Sequence, residues 1–153
     1  MKTQNSKLKT QKFKSFSPEE TFDIAEDFGE TLVGGDTVLL SGDLGAGKTL
    51  FTKGVLNALS YDIDEVTSPS FTLVNLYRTG DFDVYHIDFW RLDEDSDVAF
   101  AVGLSEIFEE ENPIVIIEWA ERLKEFSFPG RVFGVKIEGD GDEPRKITIE
   151  DRS

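Results

Sequence analysis

The sequence has no cysteine and a single histidine among its 153 residues. Without cysteine it has neither a disulfide framework nor a thiolate metal site, and one histidine cannot build a metal centre. No apolar run approaches the roughly 20 residues that cross a bilayer, and the lysine-bearing start lacks the apolar segment of a secretory signal. These absences predict a cytoplasmic protein. The composition, 39% hydrophobic and 31% charged, is that of a folded globular chain.

Positive charge is scarce after the first few residues. The chain has 16 lysines and arginines against 31 acids, and its first fourteen residues hold five lysines and no acid. We expect a flexible lysine-rich tail over residues 1–15 and a single acidic domain over residues 16–153. Because an acidic surface repels a phosphate backbone, we expect no strong direct binding of nucleic acid. A small nucleotide can still bind where backbone N–H groups converge.

Signals for helices and strands alternate along the chain. Ser17, followed by Pro18 and then by Glu20 at the third helical position, is typical of a capping-box helix start. Residues 37–40 form a short apolar run before a glycine-rich turn and predict a buried strand. Residues 49–59 then have a helical pattern, so the turn joins a strand to a helix.

The second half of the chain predicts two hairpins and a central strand. The hairpins join β-rich segments across turn residues, pairing residues 70–77 with 82–89 and residues 131–138 with 145–150. Residues 98–110 have a helical pattern despite Gly103, and the strongly apolar run 114–117 predicts a central strand. A short helix is expected over residues 119–126.

The glycine-rich turn after the first apolar strand carries the chemistry. It has the phosphate-binding pattern of two glycines, a lysine and a hydroxyl residue, and reads Gly42-Asp43-Leu44-Gly45-Ala46-Gly47-Lys48-Thr49. Glycines allow positive φ, so N–H groups can approach phosphate oxygens, and the next helix directs its positive end at the same anion. Lys48 is expected to reach the β- and γ-phosphates, and Thr49 to bind the Mg²⁺ that bridges them. We therefore predict ATP and Mg²⁺ as cofactors of an α/β, P-loop NTPase-like three-layer fold with a mixed central sheet and β-hairpins.

A P-loop also requires a carboxylate at the end of a neighbouring strand. Asp88 and Glu118 each close an apolar segment, where the sheet of such a fold places its ligand crevice. Either carboxylate can hold magnesium or orient the attacking water, and the residues alone leave that choice open. His86 is more typical of a sheet residue than of a catalyst, and Trp90 and Trp119 are more typical of core or rim aromatics.

Four motifs, taken in order, are more specific than the phosphate loop by itself. They read SGDLGAGKT (residues 41–49), TSPSFTLV (residues 67–74), YHIDFWRL (residues 85–92) and IEW (residues 117–119). With them the sequence resembles the TsaE (YjeE) family from about residue 17 to residue 150. The resemblance implies an accessory ATPase that supports the threonylcarbamoyl modification of tRNA (t6A) together with the TsaB–TsaD pair.

The resemblance also implies roles for single residues. Lys48, Asp88 and Glu118 become the expected catalytic residues, with the role of Asp88 less defined than the others. Thr49 and Glu118 become the expected magnesium ligands, and Trp119 is expected near the nucleotide. Each of these residues occupies the matching position of a motif quoted above.

Two further regions acquire expected roles from the same resemblance. Segment 68–72 resembles a switch-like loop whose hydroxyls sense the γ-phosphate. The family usually has threonine where Ser70 stands, and serine keeps the hydroxyl group. By the same analogy, the helix start near Glu19 and Glu20 approaches the nucleotide base.

Other functions that use a P-loop stay open at this stage. A small-molecule or nucleoside kinase shares the loop but usually closes an arginine-bearing lid, and the arginines of this chain are scattered. A GTPase is disfavoured because no Asn-Lys-x-Asp motif occurs. A third alternative is a binding module in which hydrolysis times the release of a partner. With no acceptor pocket apparent, we expect water to attack the γ-phosphate, slowly in the isolated protein and faster with a partner.

Overall fold

The computed structural model describes residues 9–43, 45–66, 73–92, 97–123 and 125–153. Within these ranges the chain forms seven β-strands, four α-helices and two short 3₁₀ turns, at Ile63–Glu65 and Ala120–Arg122. In chain order the helices and strands are β1 (Thr10–Ser15), α1 (Pro18–Gly29), β2 (Thr37–Gly42), α2 (Lys48–Ala58), β3 (Val74–Arg78), β4 (Asp83–Asp88), α3 (Val98–Val102), α4 (Leu104–Glu109), β5 (Ile114–Glu118), β6 (Val132–Glu138) and β7 (Arg145–Asp151).

The strands form one mixed sheet in the order β1-β7-β6-β2-β5-β4-β3. Strand β2 lies at the centre, parallel to β6 and β5, and β5 is parallel to β4. The outer pairs β3–β4, β6–β7 and β1–β7 are antiparallel. Both predicted hairpins are thereby confirmed. Because β2, β4 and β5 run the same way, their carboxyl ends meet at one edge of the sheet.

Helices cover both faces of the sheet. On one face α1 and α2 pack together, and Phe28 and Phe51 join the cluster beneath them. On the other face α3 and α4 contribute to a second cluster that includes Leu104. Side chains alternate along a strand, so Ile116 of β5 belongs to the first cluster and Ile117 to the second. The predicted three-layer α/β arrangement is confirmed.

The start of the chain differs from the expected tail. Strand β1 pairs antiparallel with β7 along its whole length and forms one edge of the sheet. Phe13 packs against the core, whereas Lys12 and Lys14 on either side of it are exposed. Lysines on an edge strand oppose pairing with another chain, so they suit this place. The structure thus contradicts the tail for residues 10–15, while residues 1–8 lie outside the described ranges.

The segment expected as one helix, residues 98–110, forms two. Helix α3 ends and α4 begins at Gly103, whose φ of 67° is left-handed and interrupts the helical bonding. Of the expected short helix over residues 119–126, the described residues form only the 3₁₀ turn Ala120–Arg122, and residue 124 lies outside the described ranges. Among the helices of the described ranges, none combines the length and apolarity needed to cross a bilayer.

Candidate functional site

The phosphate-loop sequence lies at the carboxyl end of β2 and leads into α2. Gly45 and Gly47 have φ values of 82° and 114°, and a Cβ on either would meet nothing within 4 Å. Backbone conformation, not crowding, therefore favours glycine at both positions. A Cβ on Gly42 would instead lie 2.6 Å from the carbonyl oxygen of Ile137 in β6. Leu44, which belongs to the predicted loop, lies outside the described residues.

The amino end of α2 stands directly behind this loop. Gly47 is its N-cap, and no described side chain caps that end of the 11-residue helix. The Ala46 N–H donates to the Asp43 carbonyl oxygen at 3.0 Å, which closes a turn just before the helix. The first N–H groups of α2 and the positive end of its dipole are therefore directed at the loop, as an anion site requires.

Arg145, the first residue of β7, holds the loop from another side. Its Nε donates to the Ala46 carbonyl oxygen at 3.0 Å, and its Nη2 donates to the Gly45 carbonyl oxygen at 3.2 Å. The same guanidinium donates to the carbonyl oxygens of Gly141 and Glu143 in the β6–β7 turn. Arg145 binds carbonyl oxygens of the loop, so its guanidinium does not compete for the N–H groups that an anion site uses. Nothing in the local sequence around Arg145 indicates this contact.

Lys48 lies half-buried beside an aromatic pair. Its Nζ donates to the Gly42 carbonyl oxygen at 2.5 Å and lies 5.7 Å from the ring centre of Trp119. Trp119 follows β5 with a left-handed φ of 62°, and its ring centre lies 4.8 Å from that of Trp90. A non-glycine residue in this conformation is strained, so surrounding contacts hold it there. The structure therefore brings Trp119 next to the loop lysine.

Asp88 and Glu118 end the parallel strands β4 and β5 and stand opposite each other in register. Each is at most 5% exposed, and Asp88 Oδ1 accepts the Trp90 N–H at 2.9 Å. Burial raises the pKa of the Asp88 carboxyl above its ordinary value; the Trp90 N–H opposes this shift, and the charge of Glu118 adds to it. The nearby His86 and Lys48 lower the Asp88 pKa, but burial dominates. Two neighbouring buried carboxylates provide a site suited to a cation.

His86 is the side-chain partner of Glu118. The histidine is fully buried in β4, and its Nε2 lies 2.6 Å from Glu118 Oε2. Its other ring nitrogen, Nδ1, is buried and has no hydrogen-bond partner within the described ranges. The expectation that His86 is a sheet residue is confirmed. Its bond to Glu118 was not anticipated, although the spacing of His86 and Asp88 does place both on one face of a strand.

The residue types at this edge of the sheet fit a magnesium ion. Thr49 supplies a hydroxyl on an exposed residue at the start of α2, and Glu118 and Asp88 supply carboxylates. Such oxygen donors are those that Mg²⁺ prefers. Within the described ranges no group of three or more histidine, cysteine or acidic side chains could hold a metal alone.

Two clefts flank the phosphate loop. The first, of about 530 Å³, lies between the loop and the end of β6, and its lining includes Lys48 and Trp119. The second, of about 360 Å³, lies between the loop, the start of α1 and the β6–β7 turn. Phe16, 67% exposed, lines the second cleft together with Ser17. A nucleotide with its phosphates at the loop would have room for its sugar and base in either cleft.

The start of α1 has the predicted cap. The Glu20 N–H donates to Ser17 Oγ at 3.1 Å, and Glu20 Oε1 accepts the Phe16 N–H at 2.7 Å. Ser17, rather than Glu19 or Glu20, lines the second cleft. Segment 68–72, including the predicted nucleotide-sensing Ser70, lies outside the described residues.

Comparison with known proteins identifies relatives along most of the chain. The family model described as "Threonylcarbamoyl adenosine biosynthesis protein TsaE" matches residues 15–147. The chain is 36% identical over 142 residues to the tRNA threonylcarbamoyladenosine biosynthesis protein TsaE of Bacillus subtilis (strain 168), covering 93% of this chain and 86% of that protein. It is 40% identical over 106 residues to the protein of the same name from Nostoc sp. (strain PCC 7120), covering 69% of this chain and 65% of that protein.

A solved structure has the same architecture. The crystal structure of YdiB from Bacillus subtilis superposes with a TM-score of 0.70 at 33% sequence identity, covering 95% of this chain and 87% of that one. The match extends over nearly the whole sheet and its helices, and the family model includes every motif quoted above. The chain belongs to the TsaE family.

Proposed function

We propose that this protein is a cytoplasmic Mg²⁺-dependent ATPase that supports t6A modification of tRNA together with the TsaB–TsaD complex. The observation that best supports the ATPase activity is the position of two buried carboxylates at the edge of the sheet that carries the phosphate loop. Glu118 ends β5, which pairs with β2, and Asp88 ends β4, the next strand in the sheet. That arrangement is the one used to hydrolyse nucleoside triphosphates. Membership of the TsaE family supports the tRNA pathway and the protein partners.

The phosphate loop and the start of α2 bind the triphosphate. Their backbone N–H groups face the anion, and Lys48 exchanges its bond to the Gly42 carbonyl for bonds to phosphate oxygens. Thr49 and Glu118 hold the magnesium ion, which when bound offsets negative charge on the phosphates. The second cleft, beside Phe16 and the start of α1, receives the base and its sugar.

Asp88 positions the attacking water. Its carboxylate is held through Oδ1 by the Trp90 N–H, and burial raises its pKa, which makes it a stronger proton acceptor than an ordinary aspartate. As the water oxygen bonds to the γ-phosphorus, the bond to the bridging oxygen of ADP breaks and Asp88 takes the water proton. We assign Glu118 to the metal because His86 already engages one of its oxygens, which fixes its orientation.

Nucleotide binding and phosphate release test the proposal. Lys48→Ala should lose hydrolysis and bind ATP more weakly, because the charged contact to the phosphates is gone. Lys146→Ala, which removes an exposed lysine from β7, is the matched control and should behave as the wild type. Absence of ATP or ADP binding at millimolar concentration by folded wild-type protein would overturn the proposal.

The partner and the reaction type need separate measurements. Phosphate release should be slow alone and rise when TsaB and TsaD are added, since an incomplete catalytic site is completed by a partner. Equal rates with and without them would remove partner activation. Transfer of the γ-phosphoryl group to a nucleoside or a sugar, faster than to water, would instead identify a kinase.

A further inference from the structure

We propose that His86 is a positioning residue that fixes the Glu118 carboxylate in the orientation needed to hold a divalent cation. This inference rests on the proposed function, because it concerns how the cation site is built. His86 lies in β4 and Glu118 in the neighbouring strand β5, 32 residues away in sequence. His86 is not proposed as a metal ligand. Its ring contacts the Glu118 carboxylate, and the carboxylate in turn coordinates the cation.

The bond between the two side chains is short and shielded from water. The Nε2 to Oε2 distance is 2.6 Å, and the side chains are 0% and 6% exposed. A hydrogen bond to a charged carboxylate is roughly twice as strong as one between neutral groups, and a dry setting strengthens it further. A glutamate has three rotatable side-chain bonds, so such an anchor is needed to hold it in one orientation.

The bond engages only one carboxylate oxygen. Glu118 Oε2 is hydrogen-bonded to His86 Nε2. The other carboxylate oxygen, Oε1, can therefore coordinate a cation or bind one of its water ligands. Asp88 is held in a similar way, with Oδ1 bound to the Trp90 N–H. Each carboxylate at this edge thus uses one oxygen for an internal bond, which suits a site that must be rigid before a ligand arrives.

The register between β4 and β5 explains why position 86 can contact Glu118. His86 pairs with Ile116, and Asp88 pairs with Glu118, so the ring lies one step deeper on the same face of the sheet. Strand β4 therefore supplies both a candidate base and the support for its neighbour. Because a carboxylate oxygen can only accept, Nε2 is the ring nitrogen that donates across this bond, and the buried Nδ1 has no partner within the described ranges.

Nuclear magnetic resonance of the ring gives a direct test, because His86 is the only histidine in the chain. In ¹⁵N-labelled wild-type protein without metal, we expect one set of ring signals with a slowly exchanging proton on Nε2. Glu118→Ala should shift the Nε2 proton signal and speed its exchange with solvent. Glu125→Gln, at an exposed acid, should leave it unchanged. A ring protonated only at Nδ1 would overturn the inference.

The second test measures how the ADP complex depends on Mg²⁺. It compares two variants of His86 whose side chains differ in length. His86→Gln can place an amide donor near the Nε2 position, whereas His86→Asn is too short to reach Glu118. We expect the Asn variant to need about 10- to 100-fold more Mg²⁺ to half-saturate its ADP complex, and the Gln variant to recover much of that loss. ADP affinity without metal should be unchanged in both variants. Titration calorimetry measures this affinity and the Mg²⁺ concentration that half-saturates the ADP complex of each variant.

The outcomes separate this inference from the proposed function. If the wild-type protein binds no nucleotide, the proposed function fails, and the ring signals still report the His86–Glu118 bond. If the wild type binds Mg²⁺ and ADP but the Asn variant has the same Mg²⁺ dependence, the positioning role is wrong. Equal impairment of the Asn and Gln variants, with equal losses of thermal stability, would indicate packing alone and would also overturn it.

Discussion

The guanidinium of Arg145 donates to the Ala46 carbonyl oxygen at 3.0 Å and thereby joins the last strand of the sheet to the phosphate loop. The two residues are 99 positions apart in sequence. Since a second bond from Arg145 reaches the Gly45 carbonyl, the guanidinium restrains two successive loop residues. For the proposed nucleotide site, such a restraint would lower the entropic cost of ordering the loop on binding.

Replacing Arg145 should therefore weaken nucleotide binding. We expect Arg145→Gln to lower ATP affinity by about tenfold, which corresponds to about 1.4 kcal/mol, within the range of hydrogen bonds to charged groups. Titration calorimetry with ATP provides the measurement. Arg152→Gln, which removes a surface pair with Glu150, serves as the control and should bind ATP normally. Equal affinities of the Arg145 variant and wild type would contradict a restraining role.

The ionised Asp88 carboxylate should lower the stability of the metal-free protein at neutral pH. Its folded pKa is raised, mainly by burial, so protonation favours the folded state and the stabilising contribution is lost as pH rises through that pKa. Asp88→Asn should melt higher than wild type at pH 7, by about 2–4 °C for each kcal/mol relieved. The difference should vanish as pH falls to the ordinary value of 3.8.

The same variant should lose phosphate release, because the amide cannot take a proton from water. Calorimetric melting in the presence of a chelator across this pH range measures the stability effect. Asp83→Asn, at the other end of β4, provides a comparison in the same strand. A variant that melts lower than wild type at pH 7 would contradict the raised pKa.

Gly103 should be intolerant of a side chain. Its left-handed φ of 67° separates α3 from α4, and an L-residue in that conformation costs about 1–2 kcal/mol. We therefore expect Gly103→Ala to lower the melting temperature by several degrees. Gly80→Ala, where a Cβ meets nothing within 4 Å and φ is not in the left-handed range, should be nearly neutral. Equal melting of the two variants would show that the break between the helices does not depend on glycine.

Arg131 should matter for stability and not for nucleotide binding. Asp36, 1% exposed and just before β2, is bound by Arg131 Nε at 3.0 Å and Nη2 at 2.7 Å. Arg131→Leu leaves this buried carboxylate with fewer donors and should cost about 1–3 kcal/mol in denaturant unfolding. ATP affinity should persist because Asp36 lies at the opposite end of β2 from the loop. Combining the change with Asp36→Asn should recover part of the loss.

The sequence by itself determined the parts of this protein that depend on neighbouring residues. The phosphate loop, the Ser17 cap and both hairpin turns are encoded within a few positions, because positive φ, capping and turn formation are local. The apolar runs before Asp88 and Glu118 likewise predicted two strands ending in carboxylates. A left-handed break at Gly103 was also encoded locally, but a helical pattern on both sides of it concealed the interruption.

Only the tertiary structure decided which distant residues meet. The pairing of β1 with β7, the bond from His86 to Glu118 and the contact of Arg145 with the loop all depend on strand order and register. A lysine-rich edge strand and a polar tail have similar compositions, so residues 10–15 could not be assigned before their partner was known. Packing of the sheet brings such groups together, and burial then gives their hydrogen bonds and charges their strength.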